Sequence, residues 1–122
     1  MISPAAPLNA ISVDVEDWLQ STIDPELPLT DRFPDSTRRI LEAFARRGVL
    51  GTFFILGLAA EKAPAVVREI ADAGHEIQSH GYGHRLVYTL TPEQFREDLL
   101  RARRLLEDMT GRAITGTPCR PR

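Results

Sequence analysis

The sequence predicts an α/β domain built on a parallel sheet. Strand-length runs at residues 8–15, 51–56 and 76–79 are separated by segments whose apolar residues recur at helical spacing. Gly48, Gly74 and Gly111 end those helical segments. A helix between each pair of strands makes every connection a crossover, which favours parallel strands joined right-handedly. With 122 residues and 43% hydrophobic content, the chain suits one core and is too short for two ordinary domains.

Residues 8–15 are the first strand, and 16–34, rich in Pro and Asp, are an irregular loop placed to cover or line a site. Asp35 or Ser36 is the expected cap of a first helix, whose positions Ile40, Leu41, Phe44 and Ala45 form an apolar stripe. Residues 51–56, Gly-Thr-Phe-Phe-Ile-Leu, have the β-branched and aromatic content of a buried strand. Pro64 opens the next helix, striped by Val66, Val67, Ile70 and Ala71. Glu76-Ile77-Gln78-Ser79 alternates as a strand and leads directly into His80. Thr91 caps the last helix, with Pro92 in its first turn and Gln94 placed for a capping box. Its stripe is Phe95, Leu99, Ala102, Leu105, Leu106 and Met109, and residues 113–115 are expected to begin a fourth strand.

Fifteen basic and 17 acidic residues give a net charge of −2, spread so evenly that no basic face suggests nucleic acid or an anionic membrane. The single cysteine, Cys119, forms no internal disulfide and lacks the partner for a zinc ribbon. Residues 1–7 lack the features of a secretory signal, and no apolar run approaches a membrane span. A soluble, cytoplasmic protein is expected.

The chemistry lies in two clusters. His80 and His84 are four positions apart, and Gly81 and Gly83 favour a bent loop that turns both imidazoles toward one point. Asp14, Glu16 and Asp17 follow the first strand, and Asp14 and Glu16 point to the same side of an extended chain. Parallel sheets gather their sites at the carboxyl ends of strands, where both clusters fall. A carboxylate beside a cation stays ionised, and a second one nearby can take a proton from water, so the set suggests metal-assisted hydrolysis. The alternative for these residues is solvent-facing loop histidines and acids without a ligand. His75, after Gly74, is assigned a structural role. Trp18, Phe33 and Tyr82 are candidates for an aromatic wall against a sugar ring, or simple loop packing. Arg120 and Cys119 are given no role.

These segments together resemble the polysaccharide deacetylases of the NodB-homology type, metal-dependent carbohydrate esterases that remove acetyl groups from N-acetylated sugars. The resemblance rests on 12–18 (Ser-Val-Asp-Val-Glu-Asp-Trp), 37–41, 51–57, 74–84 and 90–99, in that order, and extends to about Gly116. The first of these resembles the branch associated with exopolysaccharide biosynthesis and exosortase systems. The resemblance implies a deformed (β/α) barrel of fewer than eight strands with a divalent metal, commonly zinc, at its carboxyl-end face. It implies Asp14 as catalytic base, His80 and His84 as metal ligands, and Glu16 in preference to Asp17 as the acidic ligand. The implied reaction is hydrolysis of the acetamide by water activated at the cation, with an N-acetylated carbohydrate as substrate; the alternative readings are a small-amide amidohydrolase of the same fold and a non-catalytic metal- or sugar-binding fragment.

Two departures qualify it. Where the family carries an Arg-x-Pro motif after Gly-Tyr, this chain reads Gly116-Thr117-Pro118-Cys119-Arg120-Pro121-Arg122, so Arg120 does not take the family role. The later strands and the general-acid histidine have no counterpart, and the chain reads as roughly the first half of the barrel, a truncated or frame-shifted product incomplete at its C-terminus. Exposed half-barrel surfaces are then expected to promote self-association.

Overall fold

The structure, a computed structural model, describes residues 8–116. Three strands, β1 (Ser12–Val15), β2 (Thr52–Ile55) and β3 (Glu76–Ser79), form one parallel sheet in the order β1-β2-β3. Helices α1 (Arg32–Arg47), α2 (Gly57–Lys62), α3 (Pro64–Asp72) and α4 (Pro92–Thr110) complete the described elements, with a π-helical turn at Leu19–Ile23 and a 3-10 turn at Val87–Thr89. The register aligns Val13 with Phe53 and Ile77, and Val15 with Ile55 and Ser79. Phe53, Ile55 and Ile77 pack with Val66, Val67 and Ile70 of α3 and Leu106 of α4 in one buried cluster. At ~25 cal/mol per Å² of apolar surface removed from water, that burial is the main force holding helices to sheet.

The predicted parallel α/β architecture is therefore present. α4 carries the full capping box: the Gln94 N–H donates to Thr91 Oγ1 at 3.1 Å, and the Thr91 N–H donates to Gln94 Oε1 at 2.9 Å. Gly48 and Gly111 close α1 and α4 in the left-handed region, at φ 62° and 67°.

Three expectations are corrected. α1 starts at Arg32 with Asp31 as its cap, earlier than Asp35 or Ser36, because Pro34 falls in the first turn, where a missing N–H costs no intrahelical bond. The six-residue α2 intervenes between β2 and α3, where no helix was expected. Residues 113–116 form no strand. They lie along β3, held by the Gln78 side chain, whose Oε1 accepts from the N–H groups of Thr115 (3.1 Å) and Gly116 (2.8 Å). The Ser79 N–H donates to the Gly116 carbonyl at 3.1 Å. Cys119 and Arg120 lie outside the described residues.

Candidate metal centre

The sheet register creates the site. Because Val15 and Ser79 both align with Ile55, the next residues, Glu16 and His80, leave β1 and β3 at the same level. The ladder continues through this level: the Leu56 N–H donates to the Val15 carbonyl (3.1 Å), and the His80 N–H to the Ile55 carbonyl (3.0 Å). Glu16 Oε2 lies 2.8 Å from His80 Nε2 and 2.9 Å from His84 Nε2. One ligand atom from each of these three residues falls within 4.8 Å of the others. Asp14 Oδ2 stands 3.8 Å from His80 Nε2, on a side chain 40% exposed.

Among the described residues no hydrogen bond satisfies the buried His84 Nε2, although the Glu16 carboxylate oxygen lies 2.9 Å from it. A buried polar atom without a partner is costly unless something else satisfies it. Two imidazole nitrogens and a carboxylate oxygen are a donor set suited to a divalent cation such as zinc, so these residues fit one. Burial alone would raise the Glu16 pKa, but the hydrogen bond and charge of His80 and the closeness of His84 outweigh it and hold the carboxyl well below the usual range.

Asp17 is directed elsewhere. Its Oδ2 accepts from the Thr30 hydroxyl (2.6 Å) and N–H (2.8 Å), and its Oδ1 accepts from the Leu19 N–H (3.1 Å). Burial opposes its charge, yet these bonds lower its pKa, and the side chain pins the loop between β1 and α1. Of the two acids considered from sequence, Glu16 meets the histidines.

The loop bearing His84 is braced on several sides. The Gly57 and Leu58 N–H groups of α2 donate to the carbonyls of Gly81 (2.9 Å) and Tyr82 (3.0 Å). Buried Gln20, from the acidic loop, donates through Nε2 to the Gly83 carbonyl at 2.8 Å. Asp98 of α4 accepts from the N–H groups of Tyr82 and Gly83. Sequence reasoning missed Gln20 and Asp98, because neither belongs to a motif and both act through backbone atoms distant in sequence.

The aromatic wall is assembled only in part. Phe33, largely buried in the core, lines one cleft with Trp18, whereas Tyr82 turns toward α2 and α4, its hydroxyl donating to Glu61 Oε2 (2.8 Å) and its ring lying under the Arg101 guanidinium (3.7 Å). Trp18, 64% exposed, lines a cleft of about 460 Å³ with Asp14, Glu16, Arg32, Ser36 and Ile40. His75 is structural, as read: buried against Phe53 and Phe44, its Nδ1 accepts from the Gly51 N–H at 3.1 Å.

Comparison with known proteins gives a consistent result. Residues 21–121 match the family described as polysaccharide deacetylase. A peptidoglycan-N-acetylglucosamine deacetylase of Bacillus cereus is 35% identical over 91 residues, covering 72% of this chain and 33% of the relative. A peptidoglycan deacetylase of Helicobacter pylori is 36% identical over 78 residues, covering 64% of this chain and 27% of the relative. The chain thus spans about a third or less of the length of these relatives. The solved peptidoglycan deacetylase PdaC of Bacillus subtilis superimposes with a TM-score of 0.71 over 93% of this chain and 49% of that one; at 18% identity the likeness concerns the fold. The sheet and its crossover helices are accordingly part of the deformed barrel of these deacetylases.

Proposed function

Because the chain belongs to the polysaccharide deacetylase family, we propose that it carries the metal-binding part of a hydrolase that removes N-acetyl groups from a polysaccharide or oligosaccharide. The observation that carries this reading is the convergence of Glu16 Oε2, His80 Nε2 and His84 Nε2, with Asp14 beside them.

Glu16, His80 and His84 would hold the cation, zinc being the choice best matched to the donor set. When bound, the cation supplies Lewis acidity that polarises an amide carbonyl and acidifies water. Glu16 stays ionised and so is ready as a ligand without first losing a proton. His80 is fixed by its place at the end of β3, and the braced loop fixes His84. Asp14, more exposed and directed to the same point, accepts the proton that the attacking water gives up. Water adds to the acetamide carbon, the C–N bond breaks as the nitrogen takes up the proton held by Asp14, and acetate and a free amine leave. Trp18 offers an apolar face to the sugar. The names of the relatives suggest peptidoglycan glycan as substrate, and the first motif suggests an exopolysaccharide.

The test is zinc titration by calorimetry beside acetate release from N-acetylglucosamine oligomers, peptidoglycan fragments and an acetylated exopolysaccharide. One zinc site is expected in the wild type, weakened about tenfold or more in His80→Ala. Asp14→Asn is expected to keep zinc while reducing any acetate release by 100-fold or more, in the range of a lost general base. A wild type that takes no zinc, or His80→Ala binding it equally well, overturns the reading.

A further inference from the structure

The geometry points to Asp98, on α4, as the positioning residue that places His84 in the cation site, an inference that rests on the metal reading above. Asp98 lies 14 residues beyond His84 in sequence and is not one of the three residues of the cluster. Its carboxylate instead collects consecutive backbone donors of the histidine loop: Oδ2 accepts from the Tyr82 N–H at 2.9 Å, and Oδ1 from the Gly83 N–H at 3.2 Å. The approach is close enough that a β-carbon at Gly81 would come within 3.0 Å of Asp98 Oδ2.

The next residue is His84, whose φ of 58° makes it the only non-glycine with positive φ among the described residues. That conformation is uncommon for any residue but glycine, and contacts from the surrounding elements hold it here. Asp98 pulls on the donors of residues 82 and 83 from α4, while Gln20 grips the Gly83 carbonyl from the opposite loop. Together they fix the peptide from which the His84 backbone departs, and the ring is carried to Glu16. His80 needs no such help, because the sheet ladder already holds its backbone. Removal of Asp98 should therefore act on the cation through His84 and not through His80. Partners one shell outside the ligands commonly change metal affinity by about 10- to 100-fold.

The experiment is a double-mutant cycle in zinc affinity, measured by calorimetry on the full chain. Asp98→Asn keeps the side-chain volume but replaces one acceptor oxygen with a donor, and Asp98→Ala removes both acceptors. Each is expected to weaken zinc about tenfold or more in the otherwise wild-type chain. In a His84→Ala background the same substitutions are expected to change affinity less than twofold, because the residue through which Asp98 acts is gone. If Asp98→Ala loses its far-UV helical signal, the isosteric Asn variant decides the matter. Full zinc affinity in Asp98→Asn, or an equal loss with and without His84, overturns the role of Asp98 while leaving the metal reading intact. A wild type that binds no zinc overturns both.

Discussion

Two neighbouring acids, Glu16 and Asp17, have opposite fates because of their partners. Glu16 Oε2 meets two imidazoles, whereas Asp17 accepts three bonds from its own loop. Asp17→Ala is expected to cost about 1–3 kcal/mol of stability by leaving buried donors unpaired, with the zinc stoichiometry unchanged. Glu16→Gln is expected to weaken zinc strongly at little cost in stability; chemical denaturation and calorimetry on the two variants check both. The residues by themselves left this choice open, since residues one apart on a loop exchange roles with a single peptide rotation, and only the family resemblance favoured Glu16. His75 makes a separate prediction. Burial lowers its pKa below the ordinary 6.5, so below about that pH the unfolded chain binds more protons than the folded one. Its stabilising contribution is complete above this value and declines as pH falls toward the lowered one. Denaturation midpoints measured from pH 8 to pH 5 should fall less steeply in His75→Gln than in the wild type.

At the scale of elements, legibility follows the locality of the signal. α4 was readable because Thr91, Pro92, Gln94 and Gly111 announce both its ends within its own sequence. β3 and its delivery of His80 were readable for the same reason. α2 was not, because Gly57-Leu58-Ala59-Ala60-Glu61-Lys62 is too short to show a period and lacks a side-chain cap. Its position depends on tertiary contact: a β-carbon at Gly57 would overlap the Tyr82 ring. Gly57→Ala is therefore expected to displace Tyr82 and weaken zinc through the histidine loop, whereas Thr91→Ala should cost about 1 kcal/mol and leave zinc binding unchanged. Thermal melting paired with zinc titration separates these outcomes. The expected fourth strand failed because the donors of residues 115 and 116 are taken by the Gln78 side chain instead of a strand backbone.

For the whole molecule, the crossover pattern was enough to predict the parallel sheet, and the sheet places the acidic and histidine loops at one end. The braces between them were not legible, since Gln20 and Asp98 meet backbone atoms 63 and 15 or 16 residues away. Among the described residues no strand flanks β1 opposite β2, and Trp18 and Ile23 present apolar surface from the acidic loop that follows it. Such surface favours association. Sedimentation velocity across a hundredfold range of concentration is expected to show species larger than one chain; a single-chain species throughout would contradict this. The central claim, however, concerns the ligands. Zinc K-edge X-ray absorption of the loaded chain tests it most directly: two imidazole rings and a carboxylate should appear as nitrogen and oxygen scatterers at about 2.0–2.2 Å, and a sulfur shell or a spectrum without imidazole would contradict it.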